Sequence, residues 1–329
     1  MESRDRVRAA LALEPLDRPP AAWWGHTYRR EWSAEDLAAA TVDRQRAFGW
    51  DLVKLQPRAS CFAEAFGSEY RPSEDAGAGP VLVRPAVAAA EDWARLPAAD
   101  GETPALGDQV EALRMVVDRV GPSVPVIQTV FSPLTVAGYL VGEDRPRMAA
   151  ELRGRTPSVD GALTRIADAL GDFAARSVAA GAAGVFFAVS DFASADLLSL
   201  AEYEDLALPH DLRVLTRVPE EAWCNVLHLC GPRLHFGLAS ELRTHAVSWS
   251  IHEPGNPSLA EGRSRCGRAA MGGIDLRTLV DGEPDAVREQ GRTAVAGTGD
   301  TGLLLAPGCS VPPQAPEENL RAMMGSVAA

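Results

Sequence analysis

His228-Leu229-Cys230 closes one apolar run of the chain, and Cys309 closes another far downstream. Residues i and i+2 of a β-strand face the same side, so His228 and Cys230 can reach one metal ion. Cys309 has to arrive from a separate strand. One imidazole and two thiolates suit zinc, and three protein ligands leave a position for a substrate. The alternative is a buried histidine beside two core thiols. His252 and Glu253 follow the next strand and are candidates for the fourth position, where a substrate would displace them. Asp191 and Asp275 are strand-end acids suited to orienting a ligand or holding a substrate amine. His26, Gln56, Gln128 and Ser190 are candidates for contacts to the substrate.

These residues need a scaffold that gathers strand ends. Eight strand-like runs are read, at 21–24, 51–55, 125–130, 183–189, 224–229, 246–249, 269–272 and 302–305. Helical patterns separate most of them. This alternation predicts an α/β fold, a single (β/α)8 TIM barrel over residues 1–329 with an N-terminal helical extension. The spacing predicts a helix over 2–13 and another over 34–48 with Ser33 as N-cap. A long helical stretch over 146–180 should break near Pro157. Residues 72–105 read as a surface insertion between the second and third barrel strands, with 81–84 as an extra hairpin strand. Barrel chemistry gathers at the C-terminal strand ends, and the candidates above, with Ser250, fall there.

The chain has 329 residues, 46% hydrophobic and 23% charged, with a formal net charge of −13. That acidic balance disfavours a nucleic-acid surface. No apolar run suggests a membrane span, and the N-terminus does not read as a signal peptide. Five cysteines in so large a chain fit a reducing cytoplasm better than a disulfide framework. Whether the chain forms a homodimer is left open.

Other residues have plainer readings. Cys224 reads as core, and Cys61 and Cys266 as unpaired structural thiols. Asp275 is also a natural helix cap. Trp23 and Trp24 read as barrel core or rim. Lys54, the only lysine of the chain, is either the partner of a buried acid or an active-site cation.

Several strings are similar to the uroporphyrinogen decarboxylase superfamily: Asp51-Leu-Val-Lys-Leu-Gln-Pro57, Glu64-Ala-Phe-Gly67, Val130-Phe-Ser-Pro-Leu-Thr135, Val226-Leu-His-Leu-Cys-Gly231, Gly272-Gly-Ile-Asp275 and Leu305-Ala-Pro-Gly-Cys-Ser-Val-Pro-Pro313. The resemblance runs nearly end to end and implies a single barrel. Where true decarboxylases carry an Arg-Gln-Ala-Gly-Arg-Tyr segment, this chain reads Trp23-Trp-Gly-His-Thr-Tyr-Arg-Arg30. His228, Cys230 and Cys309 instead match the zinc pattern of the cobalamin:coenzyme M-type methyltransferases. That branch implies zinc, a small-molecule thiol acceptor, and a methyl donor such as methylcobalamin on a partner corrinoid protein, or a folate. The rivals are a metal-free decarboxylase using Arg29, Arg30 and Arg58, a non-catalytic protein with structural zinc, and a zinc enzyme that makes a different C–S bond.

Overall fold

The computed structural model describes residues 1–299 and 301–327. Its centre is a seven-stranded parallel sheet built from β1 (Val53–Leu55), β4 (Val126–Phe131), β5 (Gly184–Ser190), β6 (Val226–Cys230), β7 (Ala246–Ser248), β8 (Ala269–Ile274) and β9 (Leu303–Pro307), in that spatial order. Almost every strand residue is buried. Helices cover one face of the curled sheet and the other face encloses a core, so the strands read as near-continuous apolar runs.

Register fixes which side chains face inward together. Ala188, His228, Ser248, Met271 and Leu304 align across five strands. Phe186 precedes Ala188 by two residues and aligns with Thr129 on β4. Lys54 aligns with Ile127, two residues before Thr129. Lys54, Thr129, Phe186, His228 and Ser248 therefore share one face. Gln128 aligns with Leu55 and Val185 on the opposite face.

The first expected strand does not form a ladder. Residues 21–25 make isolated parallel bridges, Ala21 with Leu305 and Gly25 with Val311. Pro19 and Pro20 precede them and have no N–H to donate. The segment still lies between two neighbours: Ala22 N–H donates to Leu305 O (3.1 Å), and Asp51 N–H donates to Ala21 O (3.0 Å). The buried Asp51 carboxylate fastens it further, accepting from Arg6 (2.7 Å), Arg18 (2.7 Å), Ser3 (2.8 Å) and the Ala21 N–H (2.9 Å). Among the described residues, seven of the eight expected strands form a ladder, and residues 21–25 stand beside them as isolated bridges.

The helix Ala34–Phe48 is capped by Ser33, whose Oγ accepts from Asp36 N–H, and stops at Gly49 in the left-handed region. The expected 146–180 stretch divides into Arg145–Arg153 and Pro157–Ala179, with Pro157 opening the second helix behind a Thr156 cap. The first helix spans Ser3–Leu11. Between β1 and β4 the chain forms an antiparallel pair, β2 (Glu69–Arg71) with β3 (Val81–Arg84), then a helical turn at Ala90–Arg95 that buries Trp93.

Candidate metal centre

His228 and Cys230 project from the C-terminal half of β6. Cys309 follows the end of β9 across a turn at Gly308. A Cβ added at Gly308 would stand 2.6 Å from Ser250 Cβ and 2.7 Å from its Oγ, so only glycine lets the backbone pass this close. The ligand atoms of His228, Cys230 and Cys309 all lie within 4.8 Å of one another. The two sulfurs are 3.6 Å apart. A tetrahedral zinc with Zn–S bonds of about 2.3 Å requires roughly 3.8 Å between them.

His228 is buried, with Nδ1 3.1 Å from Ser248 Oγ. Its Nε2 is buried without a hydrogen-bond partner among the described residues. An orphaned ring nitrogen in a dry site is costly, and a metal would satisfy it. The two cysteines share protons as a pair. The Cys230 thiol hydrogen-bonds Cys309, which holds Cys309 well below the usual thiol range against the cost of burial. The same hydrogen bond, with burial, pushes Cys230 well above that range. An easily ionised thiol beside one that needs a cation suits a thiolate-binding metal. The donor set, the sulfur spacing and the orphaned nitrogen fit zinc.

Asp191 stands at the end of β5 in the left-handed region (φ 64°). Its N–H donates to Cys230 O (3.2 Å), and its carboxylate accepts from Arg145 Nε (3.1 Å). Ser190 is level with Cys230 across the β5–β6 pair and donates its N–H to Thr135 Oγ1. Glu253 is exposed, and its charge helps raise Cys230.

His26 and Gln56 join a buried hydrogen-bonded chain. Lys54 Nζ donates to Gln56 Oε1, Gln56 Nε2 lies 3.1 Å from His26 Nε2, and His26 Nδ1 lies 3.0 Å from the Glu31 carboxylate. Lysine can only donate, so the Gln56 oxygen faces Lys54 and its amide N–H faces His26. His26 Nε2 is therefore the acceptor, and Nδ1 carries the proton toward Glu31. Burial draws Lys54 down to about 7. Beside His26 opens a mouth cavity of about 200 Å³, walled by Tyr28, Tyr70 and Tyr139 with Glu143 at its edge.

The structure sends three candidates elsewhere. Gln128 is buried on the sheet face opposite His228, because successive strand residues alternate. His252 Nε2 lies 3.3 Å from Gly273 O, and the residue lines a cavity of about 560 Å³ between the helices Leu259–Cys266 and Pro284–Thr298. Asp275 caps the helix Leu276–Asp281, accepting from Thr278 N–H (3.3 Å). Cys224 is buried core, its thiol pushed to about 12 by burial. Sequence reasoning passed over Ser248, Glu31 and Arg145. Ser248 has a signal in hindsight, since it falls level with His228 on the next strand.

The chain is 23% identical over 339 aligned positions to the methylcobamide:CoM methyltransferase MtbA of Methanosarcina mazei, covering 98% of this chain and 96% of that protein. It is 28% identical over 325 positions to the methylcobamide:CoM methyltransferase MtaA of Methanosarcina barkeri, covering 95% and 89%. A solved methyltransferase structure from Methanosarcina mazei superposes with a TM-score of 0.82 at 22% identity, covering 99% of this chain and 98% of that one. The uroporphyrinogen decarboxylase (URO-D) family model matches residues 2–329. The chain belongs to the uroporphyrinogen decarboxylase family.

Proposed function

We propose that this protein is a zinc-dependent methyltransferase with a thiol acceptor, built on a closed (β/α)8 barrel in which residues 21–25 serve as the eighth stave. The observation that carries the reading is the convergence of His228, Cys230 and Cys309 around an unpartnered, buried imidazole nitrogen. The full-length similarity to methylcobamide:CoM methyltransferases supports the reaction class. It also supports a methylated corrinoid as donor, which we propose is carried by a partner protein.

Zinc bound by these three side chains would take the acceptor sulfur in its remaining position and keep it ionised near neutral pH. The acceptor sulfur's electron pair would form the new S–C bond as the methyl–carrier bond breaks, that bond's pair leaving with the carrier. Ser248 holds His228 Nδ1 and aims Nε2 at the ligand position. Arg145 holds Asp191 beside Cys230. Glu253, on the exposed loop after β7, stands outside the three-residue cluster, which leaves the fourth position to the acceptor. Ser190, level with Cys230, and the His26 ring at the wall of the mouth cavity are the contacts proposed for the acceptor's remainder, with Gln56 holding His26 from behind. Five free cysteines suit a reducing, cytoplasmic setting, and no described helix is long and apolar enough to cross a membrane.

The metal-free decarboxylase reading finds its arginines already engaged. Arg29 donates to Glu74 O, Arg30 pairs with Asp43, and Arg58 pairs with Glu64. The test is metal analysis together with methyl transfer from methylcobalamin to a panel of thiols, comparing the native protein with Cys309→Ser. The account expects about one zinc per chain and thiol methylation, both lost in the variant. Native zinc content and native activity in Cys309→Ser would overturn it.

A further inference from the structure

Lys54 is held in the barrel interior without a counter-ion in contact among the described residues. Its hydrogen-bond partner is a neutral amide, Gln56 Oε1. Its ammonium sits 4.7 Å from the Phe186 ring centroid and 5.4 Å from that of Trp24. The same Phe186 ring packs against His228, with centroids 5.0 Å apart, and Trp24 meets His228 edge-on. The ammonium and the imidazole of the ligand cluster therefore share one aromatic neighbour. Two anionic groups act on Lys54 from a distance, Cys309 first and Glu31 second. Glu31 is already engaged by His26 Nδ1 and by the Thr27 N–H (2.5 Å).

A buried ammonium with three donors and one described acceptor is expensive. Aromatic faces recover part of that cost, and an anion that arrives only when the site is loaded would recover the rest. Charge counting identifies that anion. A divalent zinc is neutralised by the two cysteine thiolates. A third sulfur entering as a thiolate leaves the centre one unit negative, matching the one unit positive on Lys54. A neutral thiol would leave that ammonium unmatched.

We propose that Lys54 is the positioning residue that supplies the counter-charge for an acceptor bound as the thiolate. The chain Lys54–Gln56–His26–Glu31 fixes its place. This inference rests on the thiol-acceptor reading above, and the acceptor's proton leaves to solvent on binding.

The test is calorimetric titration of zinc-loaded protein with 2-mercaptoethanol, a thiol without a second charge, and with imidazole, a neutral ligand for the same position. Lys54→Met should bind the thiol about ten-fold or more weakly, with imidazole affinity and zinc content unchanged. Lys54→Arg, which keeps the charge, should restore most of the thiol affinity. A second readout needs no variant. Isotope-labelled lysine gives a single resonance, because the chain has one lysine, and thiol binding should hold that ammonium protonated to higher pH. Equal thiol affinity in Lys54→Met, or a lysine titration indifferent to bound thiol, would overturn the inference and leave the thiol site standing. Zinc-loaded native protein that binds no thiol would overturn both.

Discussion

Ser248 Oγ lies 3.1 Å from His228 Nδ1, level with it across the β6–β7 pair. With Nδ1–H donating to that hydroxyl, Nε2 carries the lone pair on the side of the two sulfurs. Partners of this kind are worth about 10–100-fold in metal affinity. Ser248→Ala should weaken zinc binding by about that factor, while the circular dichroism spectrum stays native. Competition with a chromophoric chelator measures it.

The turn that delivers Cys309 has no room for a side chain. Gly308→Ala would press its Cβ into Ser250, forcing a backbone shift that costs about 1–3 kcal/mol. Because Cys309 is the next residue, the shift should appear first as lost zinc stoichiometry. Thermal unfolding of the metal-free proteins should differ far less than their metal content.

Asp211 is fully buried, and Tyr203 donates to its Oδ2 at 2.5 Å while Oδ1 has no described partner. Burial raises its carboxyl to about 7, against the stabilising pull of the Tyr203 hydrogen bond. The folded value lies above the ordinary one of 3.8. Its contribution to stability is therefore complete below about pH 4 and is lost as pH rises toward 7. Asp211→Asn should flatten that part of the stability–pH curve, a change of a few kcal/mol in order of magnitude. Urea melts at pH 5 and pH 8 would show it.

Asp51 ties the first helix and residues 18–21 to the sheet through Arg6, Arg18, Ser3 and the Ala21 N–H. Removing one partner of a buried pair leaves the other charge uncompensated, at about 3–5 kcal/mol. Asp51→Ala should destabilise by that order, and hydrogen exchange should accelerate first in residues 20–25, whose backbone contacts are isolated bridges rather than a ladder.

The two halves of the site differ in how far the sequence exposes them. His228 and Cys230 are readable because a period of two needs no knowledge of the rest of the fold. Cys309 joins them only through its residue type at the end of another apolar run, a grouping the family resemblance then strengthens, since no local rule relates the end of β9 to that of β6. Gln128 was assigned to the wrong face because 125–131 is apolar on both sides, so the run reveals a strand but not its phase. His252 and Asp275 sit in loops, where position in the chain does not dictate direction. Glu31 belongs to the non-repetitive segment between Arg30 and the Ser33 cap. Its role emerges only once Gln56 and Lys54 are brought beside His26. The first stave was legible as an extended segment, but the prolines that limit its pairing remove hydrogen bonds and leave no apolar pattern to read.

The central claim is an ion held by one nitrogen and two sulfurs with room for a third sulfur. X-ray absorption at the zinc edge, on zinc-loaded protein before and after adding a thiol, measures that directly. The account predicts two sulfur ligands with nitrogen or oxygen completing the shell, becoming three sulfurs when the thiol binds. A shell that the thiol leaves unchanged, or zinc bound without sulfur, would contradict it.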